Sequence, residues 1–394
     1  MWQLPLTPSA VTQLPGIVIA PVGLADQLSI NERGEIIPKQ RLTHDQSFNV
    51  VPGTRRSVND RVRFDALTPC RYGHALLHFI HVIITLRTRH PNEPILTTKV
   101  DLKAAYRRLH LTAAMAVQAC VLIDNFLLVA LRLTFGGAPN PNQWSDVSEL
   151  AFDLANDLVR NSGWDPALHS SPHQHLITDR TELQPPSVPF APACDVTVLY
   201  PDDSSPKCDG YLDDIFMAFL PRDLARGAAV LPFVVYLLGR PVHEHEKNHR
   251  EDLLSITKFI AEATPAEHKT VLGWDIDTRR LLISLPTPKY LAWCHDIERL
   301  LAAPKVTTKD LETTIGRLNH AGFIIPLARH FLSRLRTALF AAQHRRWTTL
   351  RTAQQDDLRL WLRFLQSAHD GIGLNLISCS QPTRLLRTDA CMHG

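Results

Sequence analysis

The chain has 394 residues, 45% of them hydrophobic and 21% charged, and its 17 Gly and 28 Pro follow no period. That composition excludes wholesale disorder and a collagenous repeat, and a domain of about 100–200 residues predicts two or three packed units. The net charge of +3 averages over unlike parts.

No membrane or secretory segment is read from the sequence. The N-terminal residues lack a basic stretch and are broken by Pro5, Pro8 and Pro15. The apolar run 227–239 is shorter than the roughly 20 residues a bilayer span needs, and Pro232 interrupts it. The seven cysteines (70, 120, 194, 208, 294, 379, 391) include no CxxC pair. They read as reduced thiols, which predicts an intracellular protein of nucleus or cytoplasm.

Residues 1–30 read as a proline-punctuated, extended N-terminal extension. In INERGEIIPKQRLTHDQSF, Arg33-Gly34 marks a tight turn between two strand-like runs, and VVPGTRRSVNDRV is a loop. Apolar residues at helical spacing predict a helix over 72–86, ended by RHPNEP. A strand over 95–100 delivers Asp101 at its exit. Strands over 117–123 and 126–133 are joined by Asp124-Asn125. After FGGAPNP, Pro141 opens a helix with Trp144, Val147, Leu150, Leu154 and Leu158 on its apolar face. Residues 161–207 have the composition of an inserted surface loop. CDGYLDDIFMAFL then reads as strand, acidic turn, strand. A helix over 224–238 follows, and a helix–strand segment ends in KTVLGWDIDTRRLLISLP.

Beyond Pro288 the chain turns helical and basic. Residues 299–351 hold ten Lys and Arg against Asp310 and Glu312, a net +8, the footprint expected where helices meet nucleic-acid phosphates. A solvated helix surface is the plainer reading of the same charges.

Three aspartates dominate the chemistry. Asp213 and Asp214 are adjacent at a turn, where carboxylates repel unless cations neutralise them. A third carboxylate such as Asp101 would complete an all-oxygen site for two Mg²⁺ (or Mn²⁺) ions, which can clamp the attacking and leaving oxygens of a phosphoryl displacement. An acidic pair can also be a mere polar turn, as Asp202-Asp203 in a Pro/Ser stretch illustrates.

TTKVDLKAAYRRLHL and GYLDDIFMA resemble two catalytic motifs of reverse transcriptases: an aspartate followed five residues later by an aromatic, and a Tyr-x-Asp-Asp box on a hairpin. FGGAPNPNQW lies between them, where the family carries an FG…AP segment, and KTVLGWDI follows in the place of its primer grip. KQRLTHDQSF and GTRRSVNDRV resemble the fingers segment. IGRLNHAGFIIPLARHFLSRL is similar to the region after the palm in DIRS-like retrotransposons, and the likeness runs over about residues 16–336. LLRTDACMHG resembles the first strand of a ribonuclease H domain.

The resemblance implies an α+β right-hand polymerase. Fingers would span 31–94, a palm with a ferredoxin-like antiparallel sheet 95–286, a basic helical thumb 287–350, and a linker with the first ribonuclease H strand 351–394. It implies RNA-directed DNA synthesis on a primed RNA or DNA template, with dNTPs as substrates. Asp101, Asp213 and Asp214 would hold the metals. Arg41, assisted by Lys39, would grip the triphosphate, and Tyr106 would exclude a ribose 2′-OH. Gly136, Gly137 and Pro139 would line the nucleotide site, and Lys258 would protonate pyrophosphate. Gly273 and Trp274 would form the primer grip. Arg317, Arg334, Arg336, Arg345 and Arg346 would contact the nucleic-acid backbone.

Each role has an ordinary counterpart: Tyr106 as core, Arg41 paired with Asp45, Lys258 as a solvated helix residue. A non-catalytic nucleic-acid-binding remnant of such an element is the rival reading. An RNA-templated RNA polymerase is a third, which Tyr106 opposes. Two features depart from the family: FGGAP is two residues shorter than the common form, and the stretch between Pro139 and Tyr211 is long. Of the carboxylates that ribonuclease H chemistry needs, only Asp389 has a counterpart, which predicts no cleavage of the RNA strand of a hybrid. His243, His245 and His249, like His169, His173 and His175, have no cysteine spaced to close a zinc site.

Overall fold

A computed structural model of the chain describes residues 3–33, 35–49, 57–70, 72–178, 180–194, 206–239, 252–342 and 346–378. It divides into two compact units. Unit 1 comprises Met1–Phe79, Thr97–Thr181 and Ser204–Pro265, and unit 2 comprises Ile80–Leu96, Glu182–Asp203 and Ala266–Gly394. Arg345, Asp389, the Asp202-Asp203 pair, His243, His245, His249, Gly34 and the expected ribonuclease H strand lie outside the described residues.

In chain order the first elements are β1 (Gln3–Leu6), β2 (Val22–Ile30), β3 (Ile36–His44), α1 (Ala75–Arg89) and β4 (Leu96–Asp101). There follow α2 (Ala113–Ala116), β5 (Cys120–Ile123), β6 (Phe126–Ala130) and α3 (Asn140–Arg160). Then come β7 (Lys207–Tyr211), β8 (Asp214–Phe219), α4 (Leu224–Leu238) and α5 (Ile256–Glu262). The expected N-terminal extension is structural. β1 joins a three-stranded sheet in the order β1-β6-β5, and Leu6, Ala10, Leu14, Ile17 and Ile19 pack on buried Cys120, Leu127 and Val129. β2 and β3 form a hairpin from Val22↔His44 to Ile30↔Ile36.

A second sheet, β4-β8-β7, carries the aspartates. Helix α3 crosses it, but not on the expected face: Leu150 is 55% exposed, while Trp144, Ser148, Ala151, Ala155 and Val159 are buried. Small side chains let helix and sheet approach closely, a preference that counting large apolar residues overlooks. The Asn156 amide exchanges two hydrogen bonds of 2.9 Å with the backbone N–H and C=O of Cys208 on β7.

The stretch expected as an inserted surface loop is tied down in each unit. In unit 1, Trp164 is buried and stacks on Phe233, while Arg226 donates to the carbonyls of Leu158, Val159, Asn161 and Trp164. In unit 2, the Phe190 ring lies between the guanidinium groups of Arg87 and Arg279, 4.6 and 4.3 Å from its centroid. Arg87 is wholly buried and donates to the carbonyls of Pro91, Glu93 and Thr278, and Arg279 pairs with buried Glu267 at 2.8 Å. Buried cations become tolerable when most of their donors meet acceptors in this way; only Arg87 Nε is left without one.

Unit 2 continues with β9 (His268–Val271), β10 (Trp274–Asp277), β11 (Leu282–Ser284), α6 (Thr287–Ala302), β12 (Val306–Thr307) and α7 (Thr308–Ala321). It then holds α8 (Ser333–Ala342), β13 (Trp347–Thr348), α9 (Thr352–Asp370), β14 (Ile372–Gly373) and α10 (Leu374–Ile377). The sheet order β14-β11-β10-β9 groups 268–284 with the following helices in unit 2. The reason is pairing across a long sequence gap: Leu282↔Gly373 and Ile283↔Ile372 close the sheet from beyond α9. Among the described residues no helix is long and apolar enough to cross a membrane. Cys70, Cys120, Cys194, Cys208 and Cys294 are free thiols, and Cys379 and Cys391 lie outside the described residues.

His320 of α7 stacks on Trp274 at 4.6 Å with Trp293 edge-on, and burial, then Lys289, pushes its pKa down to about 4. Between the unfolded value near 6.5 and that folded value, the unfolded chain binds more protons. The contribution is therefore complete above about pH 6.5 and is lost as the pH falls toward 4. Denaturant midpoints at pH 7.5 and 5 should differ less for His320→Phe than for the wild type.

Candidate active site

The acidic corner is assembled by backbone pairing. β7 and β8 are closed by Tyr211↔Asp214, leaving Leu212 and Asp213 as a two-residue turn with Leu212 at φ 58°. A left-handed leucine is costly, and Trp144 Nε1 stabilises it by donating to the Leu212 carbonyl at 2.9 Å. The Leu102 N–H donates to the Asp213 carbonyl at 2.9 Å, which sets Asp101, at the end of β4, alongside that turn. The structure thus brings together Asp101, Asp213 and Asp214.

Lys258 joins them. Leu102 pairs with Leu254, Lys103 N–H donates to the Leu253 carbonyl, and Ser255 N–H donates to the Asp101 carbonyl. This seats α5 so that Lys258 Nζ lies 2.5 Å from Asp101 Oδ1. One helical turn on, Glu262 pairs with Lys99 of β4 at 2.7 Å, and Thr98 Oγ1 donates to the Ala263 carbonyl. Nothing in the sequence marked the Lys99–Glu262 pair or the Trp144 bond to Leu212 as supports of this corner, because both depend on pairings distant in sequence.

Burial and the neighbouring Asp101 and Asp213 charges push the Asp214 carboxyl up to about 7; Lys99 and Lys258 oppose the shift. Asp213 is raised as well, by burial and then Asp101, against Lys258 and Arg41. Lys258 loses some basicity to burial, but Asp101, Asp214 and Glu262 more than restore it, so it stays protonated. Among the described residues no three His, Cys, Asp or Glu side chains are gathered closely enough to hold a metal ion. Asp101 is instead engaged by Lys258. The donor set still suits a hard divalent cation: all ligands are carboxylate oxygens, and the raised Asp213 and Asp214 lack the positive charge such an ion brings.

Arg41, Phe135 and Tyr106 form a stack beside this corner. The Arg41 guanidinium lies 4.4 Å from the Phe135 centroid, and Tyr106 meets Phe135 edge-on at 5.4 Å. Burial, then Asp213, pushes the Tyr106 phenol up to about 12. Lys39 is exposed, two residues from Arg41 on β3. Gly136, at φ 104°, must be glycine, since a Cβ would lie 1.9 Å from the His44 carbonyl oxygen. The Asn59 side chain clasps the segment, donating to the Gly136 carbonyl and accepting from Ala138 N–H, both at 2.8 Å. Gly137 abuts the Asn140 side chain, and Pro139 precedes the first turn of α3.

In unit 2, Gly273 is at the β9–β10 turn, but Trp274 is buried at 1% exposure against His320. The Trp274 ring packs in the core against His320, with Gly273 beside it at the turn. Several expected backbone-binding arginines are engaged within the fold. Arg317 and Arg299 both pair with Asp296, and Arg334 neutralises buried Asp357 at 2.9 Å. Arg336 donates to Asn319, and Arg346 is exposed. His173, one of the histidines weighed for zinc, pairs with Asp252 at 2.6 Å.

No protein-family model matches the sequence, and no curated protein matches it. Three solved structures of a foamy viral protease-reverse transcriptase are similar to the chain, each at 14% identity. The form in complex with double-stranded DNA that is designated dRH has a TM-score of 0.45 and is matched over 89% of this chain and 46% of its own. The complex with an RNA/DNA hybrid gives 0.46 over 89% and 34%, and a further double-stranded DNA complex gives 0.41 over 93% and 54%. The chain thus spans between a third and somewhat over half of the length of those proteins. At these scores their activity and ligands do not transfer to it.

A Cβ on Gly210 would lie 2.3 Å from the Phe152 ring and 2.9 Å from the Asp214 carbonyl oxygen. Gly210→Ala should therefore cost about 1–3 kcal/mol as overpacking. Pairing it with Phe152→Leu should recover part of the loss, read as denaturant midpoints of the two variants.

Proposed function

We propose that the chain is an RNA-directed DNA polymerase that extends a primer 3′-OH with deoxynucleotides on an RNA or DNA template. The observation that carries this reading is the meeting of Asp101 with the Asp213–Asp214 turn, beside Lys258 and the Arg41–Phe135–Tyr106 stack. Asp101, Asp213 and Asp214 would hold two Mg²⁺ or Mn²⁺ ions, which when bound supply positive charge to the reacting phosphate. Arg41 offers a planar fork of donors suited to a triphosphate, with exposed Lys39 on the same strand adding charge. The Tyr106 ring would sit against the sugar and oppose a 2′-OH. Lys258 carries a proton at neutral pH that it can hand to the leaving pyrophosphate. The fingers, palm and thumb assignment belongs to this same reading.

Nucleic-acid binding without catalysis is the second reading, and the Lys258–Asp101 ion pair favours it, because it occupies a carboxylate the metals would need. Primer extension on poly(rA)/oligo(dT) with Mg²⁺ or Mn²⁺ separates the two. Extension supports the polymerase; hybrid binding without extension supports the alternative; neither overturns both. Asp213→Asn should abolish extension while leaving hybrid affinity within about twofold, since the phosphate-binding cations remain.

Tyr106→Val should raise kcat/KM for ribonucleotides relative to deoxynucleotides by about tenfold or more, because discrimination is a ratio of those two constants. An unchanged ratio would make Tyr106 ordinary packing.

A further inference from the structure

A small cavity in unit 1 lies outside the acidic corner. Its volume is about 110 Å³, and Val22, Leu42, Val121, Leu133 and Phe135 contribute apolar walls. Its lining includes neither the three aspartates nor Arg41, Tyr106 or Lys258; Phe135 is shared with the stack beside that corner.

The neutral polar groups of the lining are already engaged. Thr43 Oγ1 donates to the Gly23 carbonyl at 3.0 Å. His44 is buried, with Nε2 3.3 Å from the Cys120 carbonyl oxygen and Nδ1 3.3 Å from Thr134 Oγ1. A carbonyl can only accept, so Nε2 carries the proton and Nδ1 accepts from the Thr134 hydroxyl. Burial lowers the His44 pKa against the opposing effects of the Cys120 carbonyl and Asp45, so the ring brings no charge to the cavity at neutral pH.

Arg132 is different. The Leu111 N–H donates to the Leu131 carbonyl at 3.0 Å and the Leu133 N–H to the Leu109 carbonyl at 3.1 Å, which fixes the backbone that bears it. Its Nη1 donates to the Arg108 carbonyl at 2.8 Å, but its Nε is buried without a hydrogen-bond partner. Burial draws its pKa down, and no neighbouring carboxylate opposes that shift. Arg107 adds a second cation to the lining. A guanidinium with an unsatisfied buried donor and no counter-ion is destabilising, and an anion in the cavity would relieve both defects.

The walls select among anions. Phosphate needs donors on several sides, whereas here the cations share the lining with apolar side chains. A carboxylate presents its oxygens to a planar guanidinium and can carry a hydrocarbon tail. An apolar cavity of about 150 Å³ takes up benzene, so this one suits an anion of about six heavy atoms or fewer.

We propose that this cavity binds a short aliphatic carboxylate, with the carboxylate on the Arg132 guanidinium and the alkyl group against Leu42, Val121 and Leu133. The site is independent of the polymerase reading, and either can fail without the other.

The test uses the full chain with isobutyrate as the probe, followed by isothermal titration and thermal unfolding. The wild type should bind isobutyrate with a Kd on the order of 1–10 mM, and its melting temperature should rise with occupancy. Isobutyramide, which has the same shape without the charge, should bind about tenfold more weakly or worse. Arg132→Gln should weaken isobutyrate binding by about tenfold, and Arg132→Lys should recover part of it by restoring charge without the planar fork. Leu42 is 40% exposed, so Leu42→Trp should fill the cavity and abolish binding with Arg132 intact. That variant keeps the test decisive if the Arg132 variants unfold. No wild-type binding at about 100 mM isobutyrate would overturn the assignment. So would equal binding of isobutyramide, or undiminished binding in folded Arg132→Gln or Leu42→Trp. Displacement of isobutyrate by an equal concentration of inorganic phosphate would overturn the carboxylate preference and with it the proposal.

Discussion

Like charges brought into a part-buried corner repel one another, and the architecture of unit 1 is organised around holding Asp101, Asp213 and Asp214 together despite that repulsion. Two lysines offset it: Lys258 on α5, paired with Asp101, and Lys99 on β4, paired with Glu262 but also lowering the Asp214 pKa by its charge. The backbone does the rest. The Leu102–Asp213 hydrogen bond and the Trp144 bond to Leu212 fix the turn, so the carboxylates cannot relax apart without breaking strand pairing. The raised Asp213 and Asp214 record what remains uncompensated.

Unit 2 solves a different problem with the same chemistry. Its buried cations, Arg87 and Arg279, are matched to carbonyls, to Glu267 and to the face of Phe190. Several exposed arginines are likewise engaged with Asp296, Asp357 and Asn319. The net basic charge of the helical segment is thus partly used to join helices, which leaves a smaller share for any polyanion.

Much of the local structure was legible in the sequence. The helix over 224–238, the β7–β8 hairpin and the helix opened by Pro141 appear as the periodicities and turn residues require. The aspartates could be singled out because acidic pairs at turns are chemically expensive. What could not be read was set by non-local packing. The buried face of α3 mixes Ser and Ala with Trp144, Phe152 and Val159, set by the sheet packed against it, and no window of local hydropathy encodes that neighbour. Residues 182–194 look like loop because their composition is polar and proline-rich, yet Gln184 bonds Glu267 and Asp277, and Phe190 lies between two arginines. Trp274 followed an LG motif and so drew a functional reading; that its ring stacks flat on His320 depends on a distant helix that no local pattern shows.

The Asn156 clamp has a consequence for the company this sheet can keep. β7 is an edge strand, and an edge strand ordinarily presents free N–H and C=O groups to any passing extended chain. At Cys208 both of those groups are already bonded to one carboxamide. A side chain thus stands in for the missing neighbour strand, at the cost of a single asparagine. The hairpin that carries Asp213 and Asp214 is in this way shielded at Cys208 from strand addition, and from the edge-to-edge aggregation that an open ladder would invite.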